Sequence, residues 1–102
     1  MKEYDLFIPL YDHDGKPFES QKFQELQKRL LEHFDGLTYF PQPNEGIWKM
    51  SGVTYRDEIV IYRVLAAKPR ASRRFLSKLK EELKREFKQE EFLIVERDVE
   101  TL

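Results

Sequence analysis

The longest run of apolar positions in the chain is Glu58 to Ala67, EIVIYRVLAA, and its β-branched and aromatic residues are those that fit a pleated sheet. It is too short to cross a membrane, and Lys68-Pro69 closes it. Alternation sends Val60, Tyr62 and Val64 to one face and Ile59, Ile61, Arg63 and Leu65 to the other. Both sets are mostly apolar, so the run predicts a central strand covered on at least part of each face. The helices of a small domain can cover one face. Something else has to meet the second.

The remaining pattern predicts the other elements. Tyr4–Tyr11, YDLFIPLY, alternates as a first strand, with Pro9 demanding a bulge or an end to pairing on one side. Asp12 to Pro17 is dense in turn residues and predicts a loop. Ser20 is the expected N-cap of a helix reaching Phe34, with Phe23, Leu26, Leu30, Leu31 and Phe34 as its core stripe and Gly36 as its left-handed stop. Leu37–Phe40 predicts a short strand, interrupted by a stiff loop over Pro41 to Gly46. Ile47–Met50 and Val53–Arg56 flank Ser51-Gly52 as a hairpin whose second arm runs on into the central strand, through a bend near Asp57. Arg70–Lys88 predicts a second helix with Phe75, Leu76, Leu79, Leu83 and Phe87 on one side. Phe92–Val99 predicts a last strand with Leu93, Val95 and Val99 inward.

The order β-α-β-β-α-β is that of an α+β, ferredoxin-like plait: two helices on one face of a four-stranded antiparallel sheet, with an extra hairpin. Another two-layer α+β fold with rearranged strands is the structural alternative. The 102 residues make one domain, 1–102, able to bury roughly 60–70% of its unfolded surface. With no cysteine, neither a disulfide framework nor a thiolate metal site is available. No signal pattern follows Met1 and no segment approaches membrane length, so a soluble, cytoplasmic protein is expected.

The net charge of −1 conceals segregation. Residues 63–88 carry 10 Lys/Arg against 3 Asp/Glu, whereas residues 1–62 carry 7 against 11 and residues 89–102 carry 1 against 5. Lys68, Arg70, Arg73, Arg74 and Lys78 crowd the start of the second helix, the unfavourable end for cations. They are candidates for binding an acidic protein or a phosphate-bearing partner. The competing reading is a solvated face whose lysines pair with Glu81, Glu82 and Glu86. Nucleic acid is disfavoured, because the acidic last strand lies close by and no aromatic RNA-binding motif is present.

Candidate chemistry is sparse. Asp12-His13-Asp14 does not amount to a closed metal site, and neither a metal nor a cofactor is expected. His33 lies beside the core stripe. There is no nucleophile elbow, phosphate loop or dinucleotide fingerprint. Asp57-Glu58 is an acid pair at the mouth of an apolar strand, where burial beside Trp48 or Tyr55 would raise a pKa. Phe7, Tyr11, Phe40, Ile61, Leu65, Phe92 and Ile94 are assigned to the second sheet face, too apolar to stay wet. The hairpin with Trp48 and Tyr55, a second subunit or a ligand would cover it.

Gly36-Leu37-Thr38, Gly46-x-Trp48, Gly52 and Glu58 ahead of an apolar strand resemble an uncharacterised family of small bacterial α/β-plait domains. The resemblance implies the fold and no activity. In outline the chain is also similar to dimeric α+β barrel proteins, some of them small enzymes. The expected function is a non-enzymatic binding or interaction module, a homodimer through its open sheet face. The alternatives are a small barrel-type enzyme using a cavity between sheet and hairpin, and a phosphate- or RNA-binding plait using the second helix.

Overall fold

A computed structural model describes all residues from Met1 to Leu102. The elements are β1 (Lys2–Pro9), α1 (Ser20–Phe34), β2 (Thr38–Met50), β3 (Val53–Ala66), α2 (Pro69–Glu86) and β4 (Ile94–Asp98). The four strands form one antiparallel sheet in the order β2-β3-β1-β4. β3 is central, as its composition predicts. Its Val60, Tyr62, Val64 and Ala66 join Tyr4, Leu6 and Ile8 of β1 under Leu26 and Leu30 of α1 and Leu76, Leu79 and Leu83 of α2. Both helices therefore pack on one face of the sheet. Phe87 and Phe92 seal one end of this core, with Phe18 and Phe23 edge-on to Phe87. Within this core the Tyr62 hydroxyl accepts a 2.9 Å hydrogen bond from Gln27 Nε2, and the Tyr4 hydroxyl donates to Glu96 at 2.7 Å.

Pro9 behaves as the second of its two expectations. β1 pairs with β3 as far as Pro9 opposite Ile59, but pairs with β4 only from Lys2 to Leu6. The amide of Phe7 still reaches Leu93 O at 3.1 Å, on the β4 side, while that of Leu10 turns to Glu58 O on the β3 side. Alternation thus directs the N–H that proline lacks toward β4, where no partner remains.

Four expectations are corrected. The stretch Pro41–Gly46 is not a separate loop: β2 is one strand of 13 residues with a register break between Phe40 and Asn44. β2 lies at the sheet edge, where Pro41 and Pro43 break no ladder on the outer side, and the irregularity absorbs them. The hairpin is accordingly the far end of β2 and β3 and not an added unit. Its Ser51-Gly52 turn has both residues at positive φ, 51° and 78°, as a tight two-residue hairpin requires. The stop of α1 falls on Asp35, at φ 60°, and not on Gly36; the Asp35 amide caps Leu31 O. Ser20 begins α1 but does not cap it, since the N-cap position is Glu19 and makes no side-chain bond.

The fourth correction is the phase of β4. Phe92 and Ile94 pack with the helices, whereas Leu93 and Val95 face the other way. The β1–β4 register explains this: it sets Ile94 opposite Leu6, Val95 opposite Asp5 and Arg97 opposite Glu3. The alternative phase would bury Arg97 under the helices and take from Glu3 and Asp5 one of their two guanidinium partners. No helix is long and apolar enough to cross a membrane.

Asp35 holds a left-handed conformation that costs an L-residue free energy and glycine none. Asp35→Gly is expected to stabilise the fold by up to about 1 kcal/mol, less the greater freedom of glycine in the unfolded chain. Urea unfolding checks it, and a lower midpoint would mean that the Asp35 side chain contributes more than its backbone costs.

Candidate functional site

The sheet face away from the helices has two regions. The first is an ionic cluster spanning three strands. Asp5 of β1 is only 4% exposed, and Arg63 of β3 holds its carboxylate in a two-pronged contact, Nε to Oδ1 at 2.8 Å and Nη2 to Oδ2 at 3.0 Å. Arg97 of β4 donates to the same Oδ2 at 2.5 Å from the other side, and reaches Glu3 Oε1 at 3.1 Å. Burial pushes the Asp5 carboxyl up, and hydrogen bonds from the two guanidinium groups more than reverse it, so it sits below its ordinary value. The Arg63 guanidinium also lies 5.0 Å from the Phe40 ring centre. Reading the sequence by hydrophobic alternation misses this cluster, because Glu3, Asp5, Arg63 and Arg97 are far apart along the chain. The one available signal was charge at the outward phase of three otherwise apolar strands.

The second region is a groove. Beyond Pro9 there is no β1 beside β3, yet β2 and β3 continue from Asn44 and Ile59 to the turn as a two-stranded ribbon. Trp48 and Tyr55 are cross-strand partners on this ribbon, on the same face as Ile59. The Trp48 indole packs edge-on to Phe7, centres 6.4 Å apart, and folds over Gly46 so closely that a Cβ there would lie 3.0 Å from the ring. Between ribbon, sheet and the segment 89–93 lies a groove of about 460 Å³ whose walls include Phe7, Trp48, Tyr55, Ile59 and Leu93, with Asp57 among them. An enzyme using a cavity between sheet and hairpin would draw on Glu58, Tyr55, Tyr62 or His13, and of these Tyr55 and His13 border the groove. Tyr62 is sealed in the core, and Glu58 is exposed opposite Glu45. Asp57, the other half of the acid pair, is the one turned toward the open face, opposite Gly46.

The basic residues divide likewise. Arg70, Arg73, Arg74 and Lys78 border one shallow depression of about 850 Å³ along the first turns of α2, with Ser77 at its edge. None of these four cations has an ion-pair partner. Further along, Lys80 pairs with Glu91 at 3.0 Å and Lys84 with Glu81 at 3.5 Å, so the tail of the basic face is neutralised. Lys68 is the N-cap residue and lies outside the depression. The cations of α2 and the pair Trp48 and Tyr55 thus belong to different sites on different sides of the sheet.

Neither histidine stands in a catalytic setting. His13 Nε2 lies 3.0 Å from Lys88 O and ties the 12–17 turn to the end of α2, while Asp12 Oδ1 accepts from the amides of Asp14 and Lys16. His33 stacks on Phe75, 4.1 Å between centres. No three His, Asp or Glu side chains converge at metal-binding spacing.

No family model and no curated protein matches the chain. Two solved structures share its fold. A point variant of CutA1 from Pyrococcus horikoshii OT3 superimposes with a TM-score of 0.62 at 14% identity, over 100% of this chain and 86% of that one. A phage SAM lyase in complex with S-methyl-5′-thioadenosine does so with a TM-score of 0.64, also at 14% identity, over 95% and 80%. The class is therefore a small ferredoxin-like α+β protein. At that identity the likeness extends to the fold alone, and the resemblance to the bacterial plait family carries no further than this shared architecture.

The Asp5 cluster has a pH signature. A carboxyl whose pKa is lower folded than unfolded contributes stability above its unfolded value, about 4, and loses it as pH falls through the folded one. Asp5→Asn is expected to cost about 1–3 kcal/mol at neutral pH. That is less than a fully buried pair would cost, because the Arg63 and Arg97 side chains are 37% and 40% exposed. Its stability should fall less steeply than the parent's below pH 4. Parallel acid-unfolding curves for the two proteins would contradict the assignment.

Proposed function

We propose that the protein is an interaction module that pairs with a second copy of itself, open sheet face to open sheet face, each ribbon reaching over its partner. The observation that carries this is the ribbon. A two-stranded ribbon is marginal alone in water, and this one sets Trp48, Met50, Val53 and Tyr55 on its open side, while its other side is charged, with Glu45, Lys49, Arg56 and Glu58 around Ile47. On the open side Met50, Val53 and Tyr55 are 43%, 50% and 42% exposed, and Leu65 at the far end of β3 is 43% exposed. Such a surface is more than a monomer of this size ordinarily leaves wet. A face-to-face dimer covers the ribbon, Leu65 and the outer side of the Asp5 cluster together, under one two-fold axis. Sedimentation at micromolar concentration is expected to give twice the 12.4 kDa chain mass, and Met50→Lys with Leu65→Glu to halve it. A monomeric parent protein that binds no hydrophobic dye would sink the reading.

A second reading is favoured by one observation, the absence of any counter-ion for Arg70, Arg73, Arg74 and Lys78. Most other basic side chains along the sheet and the tail of α2 have found an acid. Here the module would also hold an acidic or phosphate-bearing partner along α2, by charge and not by shape. Reversing Arg73, Arg74 and Lys78 to Glu should abolish salt-sensitive retention on immobilised polyphosphate, and should raise the melting temperature slightly, since acids suit a helix start. Unchanged retention in the folded variant would make the cluster ordinary surface.

A further inference from the structure

We propose that the groove beneath the ribbon binds an organic cation with a flat apolar body, Asp57 supplying the counter-charge and Trp48, Phe7 and Tyr55 the walls. Asp57 is the anchor of this site. It is half-buried on the open face, yet its carboxylate has neither an ion pair nor a hydrogen bond within the chain. Glu58 is unpaired too, but it is exposed and in the opposite strand phase, whereas the other carboxylates of the open face have partners. Asp5 and Glu3 share Arg63 and Arg97, Asp98 holds Lys2, and Glu45 holds Arg56 across the ribbon at 2.8 Å. The residue opposite Asp57 is Gly46, which has no side chain to offer it. The space a side chain would take there is filled by the Trp48 indole, which a Cβ at Gly46 would meet at 3.0 Å. The pairing of a bare glycine with a bare carboxylate therefore places an aromatic plane and a negative charge on the same patch of ribbon.

The surroundings select the sign of the ligand. Phe7, Trp48, Tyr55 and Phe92 border the groove, and aromatic faces attract cations. At the groove mouth stand Glu90, without a partner, and Glu91, already bonded to Lys80. Lys49 is the only lysine or arginine bordering the groove, and it pairs with Thr54, in the opposite strand phase from Trp48 and Tyr55. His13 is engaged with Lys88 O. An anion would be desolvated against carboxylates, and a neutral ligand would leave Asp57 as it is. At about 460 Å³ the groove has the size of a small-molecule site. The whole of it belongs to one chain, so the inference does not rest on self-association.

Trp48 is the only tryptophan, so its emission reports on the groove directly. Benzyltrimethylammonium is the probe, compared with benzyl alcohol and 3-phenylpropionate as neutral and anionic counterparts. The expected result is a saturable change in Trp48 emission with the cation, and binding at least about tenfold weaker for the other two. Asp57→Asn, with unchanged circular dichroism and melting temperature, is expected to weaken cation binding by about tenfold and leave benzyl alcohol unaffected. Equal response to all three probes overturns the proposal, as does a folded Asp57→Asn variant that binds the cation as before. An emission change that follows protein concentration, with no response to the cation, would show the groove occupied by a second copy and would equally overturn it.

Discussion

The Asp5 carboxylate is the point from which the open face of this protein is organised. A side chain 4% exposed cannot keep a charge without partners, and its two partners come from strands on either side of its own. Arg63 fixes β1 against β3 and Arg97 fixes it against β4, so one carboxylate constrains the register of three strands. A slip of one residue in either pairing would send that arginine to the helical face and leave the carboxylate with one partner in place of two. The phase of β4 follows. Arg97 has to look outward, and Phe92 and Ile94 then fill the core while Leu93 and Val95 share the open face.

That constraint marks what was legible in the sequence and what was not. The element order, the central position of β3, the core stripes of both helices and the Ser51-Gly52 turn follow from local pattern and turn chemistry. The phase of β4 did not, because its odd positions, Leu93, Val95 and Val99, look as apolar as Phe92 and Ile94, and the deciding interaction joins Arg97 to residues some ninety positions earlier. Pro41 and Pro43 suggested a loop because proline is foreign to central strands, and only the position of β2 at the sheet edge makes a continuous strand admissible. Of the candidate site residues, Trp48 and Tyr55 do stand together, and Arg70, Arg73, Arg74 and Lys78 share one depression. Nothing in their spacing said that these were two sites.

The two faces carry different functions in this account. Over the helical face the core is closed and aromatic, and its only outward feature is the unpaired charge at the head of α2. Over the open face the chain leaves both an uncovered ribbon and a groove, and for the same reason: β1 ends at Pro9 while β2 and β3 run on. Extending two strands past their neighbours costs a covered edge and leaves an apolar surface that no other element of this chain covers. The exposure of Ile47, Met50 and Val53 and the isolation of Asp57 are consequences of that single difference in strand length.

The central claim, that this extension is completed by a second copy, is tested most directly by amide hydrogen exchange along residues 44–57 at several protein concentrations. Unpartnered, the ribbon has hydrogen bonds exposed on both sides and no packed layer, so its amides should exchange far faster than those of Val60 to Val64. The account predicts protection over 44–57 that rises with concentration and approaches that of the central strand. Fast exchange over those residues, the same at every concentration while β1 and β3 remain protected, would contradict it.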